Sequence, residues 1–501
     1  MSFKKNLRLI FFYIFLIFLI GCDKKINKQS TDKVIAKIGD RIITVNDFVN
    51  RSELNIRPPY CRGNDSLSKK IILNSLIAEK LLALEAEKND DLARDKRFKL
   101  FLKGRKEQAM RHWLYYNDFY KKINIDSNEI KTAFRLYGRK YNIMYFDIRD
   151  SIIAKYIAQK LKQGVSFTKL FNEIYGNEKI PLKEVSWNSS EHQAIHDALF
   201  SKPLKKGQII GPIKIENNFY LMIKIIDWTD KNVLSNYSAE KRLLDIKRKL
   251  RENKALTQFE KYVQKIMKGK KIEFSKDVFY KLSEVFYSKY MSDPQQKKSV
   301  FDIGFLNKHS NNGDKLEVEL KNFKEAPLLR IDDQIWTVGD LINEINSHPL
   351  VFRKKRIKKS EFPQQLKLAI ADLIRDKYIT QEAYKKKYDK IPSVLKEVET
   401  WKDFYYSLHQ RNNFLRSKGM DNIYSIDSEI LEKYLNPYVF QLQKEYNDKI
   451  LVNLNVLDEI QLTTIEMIIL KPNVPYPVIM PPIPILTNRN VIDYGQRIDQ
   501  N

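Results

Sequence analysis

Residues 38–50 read IGDRIITVNDFVN, and residues 331–343 read IDDQIWTVGDLIN. The two stretches are identical at seven of thirteen positions. In each, a polar pair separates two short apolar runs, which is the pattern of a tight β-hairpin. Thr44 and Thr337 each precede an Asp by three residues, which predicts a capping box at the start of a helix. The sequence therefore predicts the same hairpin and helix twice.

The similarity continues beyond the two hairpins. Apolar residues at helical spacing include Leu76-Ile77 in the first half and Leu373-Ile374 in the second half. Further on, Ile125-Asp126-Ser127 and Ile426-Asp427-Ser428 each precede a helical pattern. The matches keep their order along the chain, which indicates a duplicated unit of domain size.

The N-terminus has the layout of an export signal. Basic residues within the first eight positions precede an apolar run, Leu9 to Ile20, that is too short to span a bilayer comfortably. Residues 19–22 resemble the lipobox of bacterial lipoproteins, which implies cleavage before Cys22 and acylation of that cysteine. A signal anchor with a chance cysteine is the alternative.

The net charge of +27 would by itself favour nucleic acid or an anionic surface as a partner. The export signal argues against nucleic acid. A basic surface would suit a membrane that carries anionic lipid, and a general compositional bias towards Lys, Ile, Asn and Tyr is the other explanation of the charge. We expect the chain on the periplasmic side of a bacterial membrane, inner or outer, held by its N-terminal lipid. Besides Cys22 the chain has only Cys61, so we expect no intrachain disulfide and interpret Cys61 as a loop thiol.

Composition and pattern predict an α+β fold that is mostly helical, with two repeated units flanking a compact module. The predicted divisions are 1–21 signal peptide, 22–32 tether, 33–140 first helical unit, 141–228 α+β module, 229–325 long helix and polar linker, 326–449 second unit, and 450–501 β-like segment and Pro-rich tail.

The order of export signal, hairpin unit, linking helix and α+β module resembles the SurA/PrsA-type chaperones. In that family the central module is a parvulin-type peptidyl-prolyl isomerase domain, and the hairpin unit is the SurA N-terminal unit. The resemblance covers residues 22 to about 270. It is carried by the scaffold segments 161–167, 185–187, 197–200, 204–213 and 220–225.

The positions that carry chemistry in active parvulins are altered in this chain. The resemblance implies one histidine on the first strand and one on the last strand of the module. These positions fall on Asn142, or on Tyr145 in a shifted register, and on Leu221. The predicted degenerate pocket is Asn142, Val185, Glu191, Ile195 and Leu221.

The histidines of the chain predict no catalytic centre. His192 and His196 lie on a different element from the family's histidines, and we expect both at the surface. The other four histidines are scattered without metal-ligand spacing, and the sequence contains no nucleophile elbow, phosphate-binding glycine loop or paired-cysteine motif. We therefore expect no catalytic residue, metal or cofactor, and an isomerase fold without activity.

Aromatic residues on two predicted helices are candidates for binding unfolded polypeptide clients, with packing in a core as the alternative. The candidate client-binding residues are Trp113, Tyr116, Phe119, Trp401 and Phe404. The tail carries six prolines between Pro472 and Pro484 and is expected to be extended. It either packs on a neighbouring domain or docks on a partner.

The preferred hypothesis is a lipid-anchored periplasmic chaperone that binds unfolded exported or outer-membrane proteins. Its parvulin-like domain would keep the shape without the chemistry. One alternative is an active prolyl isomerase with a non-standard pocket. Another is an accessory subunit of an outer-membrane assembly complex, docked through the Pro-rich tail.

Overall fold

The computed structural model describes residues 33–498 except 90, 190, 217, 232–235, 293–319, 321, 355, 421–425 and 464–473. Helices and small sheets share the described ranges, so the fold is mixed α+β and mostly helical. The predictions for the signal peptide, Cys22 and the tether lie outside these ranges. Among the described residues, no helix is both long and apolar enough to cross a membrane.

The longer helices and strands are numbered here in chain order. The helices are α1 Val45–Glu53, α2 Ser66–Asn89, α3 Lys96–Asp118, α4 Ser127–Leu136, α5 Ser151–Lys162, α6 Phe167–Tyr175, α7 Gln193–Phe200, α8 Asn236–Met267, α9 Lys276–Ser292, α10 Val338–Ser347, α11 Phe362–Lys385, α12 Pro392–Ser417, α13 Asn436–Glu445 and α14 Leu454–Glu459. The strands are β1 Val34–Ile38, β2 Arg41–Thr44, β3 Arg139–Ile148, β4 Leu182–Ser186, β5 Ile209–Glu216, β6 Phe219–Asp230, β7 Ile272–Phe274, β8 Pro327–Ile331, β9 Gln334–Thr337, β10 Ile450–Val452 and β11 Gln496–Arg497.

The two compact units are assembled from separated segments of chain. Unit 1 contains Met1–Asn89, Asp403–Ile468 and Met480–Asn501, and unit 2 contains Asp90–Lys402 and Ile469–Ile479. The predicted ranges 33–140 and 326–449 each contribute residues to both units, so they do not coincide with compact bodies.

The first hairpin forms as predicted. Strands β1 and β2 are antiparallel, and Gly39 in the turn between them has a φ of +56°, a conformation that glycine adopts without strain. Thr44 caps α1: its hydroxyl accepts from the Asp47 backbone N–H, and the Asp47 carboxylate accepts from the Thr44 backbone N–H. Local sequence thus fixes where the hairpin turns and where the helix begins.

The core of unit 1 is built around α2. Every residue from Ile71 to Ala83 is buried, as expected of a helix surrounded by other elements. The hairpin extends into a four-stranded sheet in the order β11-β10-β1-β2, in which β10 is antiparallel to β1 and β11 is parallel to β10. The first strand of the chain is therefore completed by residues more than four hundred positions away.

The second hairpin, in unit 2, has the same local design. Strands β8 and β9 pair antiparallel, β7 extends the sheet on the other side of β8, and Thr337 and Asp340 form a second capping box at α10. The predicted capping boxes are thus confirmed in both places.

The α+β module, also in unit 2, is a four-stranded antiparallel sheet with the strand order β4-β3-β6-β5. Helices α5 and α6 connect β3 to β4, and α7 connects β4 to β5. The sheet separates two apolar clusters. One contains Phe146, Ile157 and Phe167 with α5 and α6, and the other contains Tyr141 and Ile223 with α7 and part of α8.

Helix α3 packs closely against α10 and α11 within unit 2. A Cβ atom on Gly104 would lie 1.8 Å from the carbonyl oxygen of Ser347, so only glycine allows this approach. One turn further along α3, the Glu107 carboxylate lies 2.5 Å from His348 Nε2 and accepts from the Tyr384 hydroxyl at 3.0 Å. Although burial opposes ionisation, His348, Lys103 and Tyr384 hold the pKa of Glu107 below its usual value.

The C-terminal region differs in part from the predicted β-like segment. Strand β10 lies at the start of that segment, but it ends at Val452, and Asn453 caps the short helix α14 instead. Residues 464–473 lie outside the described residues. From 474 to 495 the described tail has no regular helix or strand, in agreement with its proline content.

Candidate functional site

The predicted pocket positions fall on two different faces of the module sheet. Leu221 on β6 lies opposite Asp147 of β3, and Val185 on β4 lies opposite Tyr141. Tyr141 and Ile143 share the apolar cluster of Val185 and Leu221. Side chains alternate along a strand, so the intervening Asn142 points to the other face.

The placement of Asn142 in the pocket was therefore wrong. Its amide nitrogen donates to Asp227 Oδ1 at 2.6 Å, in a cross-strand pair between β3 and β6. Tyr145, the position given by the shifted register, packs against the cluster that contains Val185 and Leu221. The alternation of side chains along β3 thus favours Tyr145, the position in the shifted register, and not Asn142.

The apolar face at the pocket is filled by side chains. Val185 is 1% exposed and Leu221 is 8% exposed, and both belong to one cluster with Leu199 and Phe200 of α7. The half-buried Ile195 packs against the same cluster. Val185, Ile195 and Leu221 are therefore brought together as predicted, as a packed core surface.

Glu191 stands apart from this core. Its carboxylate lies 2.8 Å from the ammonium of Lys183 on β4, and its side chain is mostly buried while that of Lys183 is half exposed. A carboxylate paired with a lysine at the edge of the sheet does not line an apolar slot. The structure accordingly gives Glu191 the role of an ion-pair partner.

The prediction that His196 lies at the surface was wrong. His192 is exposed and caps α7, but His196 is only 5% exposed, with its ring centroid 4.6 Å from Trp187 and 4.9 Å from Phe200. Burial lowers the pKa of His196 and so favours the neutral imidazole. The spacing of His196 to Leu199 and Phe200 is the helical signal that could have placed it inside.

Lys249 of α8 closes this cluster from another side. Its ammonium donates to the Trp187 carbonyl at 2.7 Å and lies 5.6 Å from the Trp187 ring centroid. Burial lowers the pKa of Lys249. The module thus holds a buried imidazole and a half-buried lysine beside the rings of Trp187 and Phe200.

The candidate client-binding aromatics differ in exposure: Trp401 and Phe404 are buried, Trp113 and Phe119 are half-buried, and Tyr116 is exposed. Phe119 packs against Phe259 and Tyr262 of α8, with ring centroids 5.4 and 5.2 Å apart, and Trp113 packs at the edge of the same cluster. Tyr116, which lies on the same helix as Trp113, is 40% exposed.

Trp401 and Phe404 do not present a surface to a client. Trp401 is 7% exposed and contacts Phe101 and the Arg105 guanidinium within unit 2. Phe404 is 6% exposed and lies under the Arg51 guanidinium in unit 1. The prediction that they bind clients is corrected because packing, the alternative, holds for both.

The start of the Pro-rich tail is bound within unit 2. Tyr476 is 5% exposed; its hydroxyl donates to Asp376 at 2.9 Å, and its carbonyl lies 2.7 Å from His112 Nδ1. The Trp401 indole N–H donates to the Ile479 carbonyl at 3.3 Å. This part of the tail is held through both its side chain and its backbone.

The rest of the tail is bound within unit 1, mainly through its carbonyl groups. Arg51 Nη2 donates to the Pro482 carbonyl at 2.7 Å, and the Asn55 amide donates to the Met480 and Pro481 carbonyls at 3.1 and 3.2 Å. Further along, the Ser75 hydroxyl donates to the Thr487 carbonyl at 3.2 Å. The Asn74 amide donates to the Arg489 and Val491 carbonyls at 2.8 and 3.0 Å.

Apolar side chains of the tail complete this contact. Ile483, Leu486, Ile492 and Tyr494 are each at most 7% exposed and join the apolar cluster around α2. We call the surface formed by Arg51, Asn55, Asn74 and Ser75 with this cluster the tail groove. Because Ile483, Leu486, Ile492 and Tyr494 are buried here, the structure does not favour the alternative in which this segment docks on a partner.

A balanced set of buried charges supports one end of the tail groove. Arg51 is held by Glu79 in a bidentate pair at 3.0 and 2.6 Å, and Lys80 bridges Glu79 and Asp403 at 3.1 and 2.9 Å. Burial alone would lower the pKa of Lys80, but Asp403 and Glu79 outweigh it and hold that pKa above its usual value. The guanidinium that reaches the tail is therefore fixed by charges within unit 1.

The described residues show no metal centre: within them, no group of three or more His, Cys, Asp or Glu side chains is placed to hold an ion. The arrangement in the tail groove consists of donors and apolar surface. Chemically, it can hold an extended polypeptide by its carbonyl groups and its apolar side chains.

Comparison with known proteins gives a weak likeness. No family model and no curated protein matches the chain. The crystal structure of the peptidylprolyl isomerase PrsA from Bacillus cereus is similar with 18% identity and a TM-score of 0.18, over 46% of this chain and 89% of that chain. The foldase protein PrsA from Streptococcus pneumoniae gives 14% identity and a TM-score of 0.18, over 44% and 86%. At these TM-scores the likeness carries no argument about this chain.

Proposed function

We propose that the chain is a chaperone that binds unfolded exported or outer-membrane polypeptides, and that its parvulin-like module binds them without isomerising prolyl bonds. The observation that carries this proposal is the exposed apolar face of α5, on a module in which the predicted pocket residues Val185 and Leu221 are buried. Ile152, Ile153 and Tyr156 are 75%, 43% and 46% exposed. Their spacing of three and four residues places them on one side of the helix.

This face suits transient binding. Single exposed apolar side chains are ordinary, but adjoining ones on a soluble module mark an interaction surface. Apolar stretches of an unfolded chain would gain about 25 cal/mol for each Å² that they bury there. Lys160, whose ammonium lies 5.4 Å from the Tyr156 ring, keeps the rim polar, so the contact would remain reversible.

The absence of isomerase activity is proposed from the filled pocket. Rotation about a prolyl bond crosses a barrier of about 18–20 kcal/mol, and a catalyst needs an apolar slot together with polar groups that favour the twisted amide. At the corresponding positions the module carries Tyr145 and Leu221, and neither is an imidazole. The burial of Val185 and Leu221 in one cluster with Leu199 and Phe200 supports the proposal that no open slot remains there.

The remaining parts of the proposal concern anchoring and architecture. The lipidated Cys22 would hold the chain on the periplasmic side of a bacterial membrane, inner or outer. The two hairpins with their capped helices would derive from one duplicated SurA-like unit. Unfolded clients are the main partner class, and outer-membrane assembly machinery is a second one; cofactors and nucleic acid are not involved.

The test is a pair of assays on the purified full chain. We expect the chain to suppress aggregation of a chemically unfolded protein at near-equal molar ratio. The double variant Ile152→Asp and Tyr156→Asp should need at least fivefold more chain for the same effect. Val351→Asp is the matched control, because Val351 is 74% exposed but lies elsewhere in unit 2.

The second assay measures prolyl isomerisation of a short peptide with a coupled protease. We expect the uncatalysed rate. Acceleration would instead establish the alternative of an active isomerase with a non-standard pocket. A chain that fails to suppress aggregation would refute the chaperone proposal.

A further inference from the structure

The tail groove in unit 1 has the chemistry of a peptide-binding site. Six hydrogen bonds run from Arg51, Asn55, Asn74 and Ser75 to carbonyls of residues 480–491, and every one of them is accepted by the backbone of the tail. Backbone carbonyls are present in every polypeptide. These contacts therefore select an extended conformation and not a particular sequence.

The apolar part of the contact is equally general. Apart from Thr487, whose hydroxyl donates to Asn436 Oδ1 at 2.7 Å, the buried side chains of the tail are aliphatic or aromatic, and prolines lie among them. Prolines favour an extended backbone and offer no N–H, so a surface that binds through carbonyls accepts them without loss. An extended, apolar, proline-containing segment of another polypeptide presents the same groups.

The groove can also be vacated without leaving a buried charge unpaired. Arg51 stays in its bidentate pair with Glu79 whether or not Pro482 is present. The groups that would lose partners are the side-chain amides of Asn55, Asn74 and Asn436 and the hydroxyl of Ser75. Water or the polar groups of a new occupant can replace the lost partners of these neutral groups. Each hydrogen bond concerned contributes only about 1 kcal/mol to stability.

We propose, on the basis of the proposed chaperone function, that the tail groove is a client site and that residues 480–494 are its built-in competitor. In the free chain the segment fills the groove. An extended, apolar, proline-containing segment of a client takes its place. The tail is attached on both sides of 480–494, so it competes at the high effective concentration of a tethered ligand, in the millimolar range for a short flexible tether. Only client segments at high local concentration would displace it.

The test loosens the tail and leaves the groove intact. The probe is a fluorescein-labelled peptide of residues 478–494, and its binding to the full chain is measured by fluorescence anisotropy. The variant Ile483→Asp with Leu486→Asp places two carboxylates where the tail is now buried in apolar surface. We expect it to bind the probe at least tenfold more tightly than the unaltered chain does. Val491→Asp is the matched control, since Val491 is 49% exposed, and it should bind like the unaltered chain.

A second substitution assigns the binding to the groove. Asn74→Leu in the loosened chain removes both donors to the tail carbonyls at similar size, and we expect about tenfold weaker binding of the probe. Equal affinity of the loosened and unaltered chains for the probe, with the loosened chain folded by circular dichroism, would overturn the proposal.

Hydrogen exchange keeps the proposal testable if the loosened chain does not fold. In the unaltered chain, a saturating unlabelled 478–494 peptide should accelerate exchange of the tail's own amides in 485–494 at least threefold. Unchanged exchange would overturn the proposal. The aggregation assay reports separately on the chaperone function, because a chain can suppress aggregation through α5 while its tail never leaves the groove.

Discussion

Removing one carboxylate from the buried charge cluster of unit 1 should destabilise that unit strongly. Asp403 is 4% exposed and lies 2.9 Å from Lys80 Nζ and 3.0 Å from Arg41 Nε. In Asp403→Asn, Lys80 keeps only Glu79, which also neutralises Arg51, so two buried cations share one carboxylate. Breaking a buried ion pair in this way costs about 3–5 kcal/mol of the free energy of unfolding.

The compensating variant is Lys80→Met with Asp403→Leu. It removes one cation and one anion together, and it leaves Arg51 paired with Glu79 and Arg41 paired with Glu87 at 2.8 Å. Apolar replacement of a whole buried pair is often neutral or stabilising. We expect this variant within about 1 kcal/mol of the unaltered chain, and so far less destabilised than the sum of the single variants Lys80→Met and Asp403→Leu.

The two units can be monitored separately in urea. All five tryptophans lie in unit 2, so tryptophan fluorescence reports on that unit and serves as the control. Cys61 lies in unit 1 with no exposed surface, and burial raises the pKa of its thiol to about 12. In a Cys22→Ser background a thiol reagent therefore labels Cys61 only when unit 1 opens.

The reasoning is refuted if Asp403→Asn leaves the Cys61 labelling transition where it is. It is also refuted if the double variant is destabilised by the sum of its single substitutions. That result would mean that Lys80 and Asp403 contribute independently to stability and that the balance of charge between them is irrelevant.

Three further variants test other parts of the structure. In Leu221→His an imidazole enters apolar packing, so we expect a loss of about 1–3 kcal/mol by thermal unfolding and no isomerase activity; activity would contradict the filled pocket. Gly104→Ala should cost about 1–3 kcal/mol by tryptophan-monitored unfolding because its Cβ meets the Ser347 carbonyl; an unchanged transition would contradict the close approach. Burial raises the pKa of the Glu397 carboxyl from 4.5 to about 7, and this effect exceeds the opposing effect of Arg105. The contribution of the protonated carboxyl to the stability of the fold is therefore present below pH 4.5 and is lost as the pH rises through 7. Glu397→Gln should remove about 2 kcal/mol of that decline, measured by urea titrations at pH 5 and pH 8, and parallel pH profiles for both chains would contradict this assignment.

The parts of the fold that depend on short stretches could be predicted from the sequence. The hairpin turn at Gly39 and the capping boxes at Thr44 and Thr337 each involve residues within a few positions of one another. The same holds for the long helix that ends at Met267 before a glycine of positive φ. In these cases the local pattern and the tertiary packing favour the same conformation.

The parts that depend on distant partners could not be predicted. Nothing near Trp401 in the sequence indicates that Phe101 packs on it, and nothing near Asn74 indicates that its amide binds the tail. His196 was misplaced because it was judged by its lying on a different element from the family's histidines and not by its helical spacing to Phe200. Asn142 was misplaced because its register differs by three residues from that of Tyr145, and any odd shift moves a side chain to the other face of a strand.

The pairing of β1 with β10 has a consequence for the order in which the protein matures. Strand β1 is made early, but Ile38 lies opposite Ile450, so its neighbour is synthesised only after about four hundred further residues. Until then one side of β1 is an unpaired edge, open to association with other chains. Closing such a long loop is also entropically slow, which predicts that unit 1 is the last part of the molecule to become resistant to proteases during biogenesis.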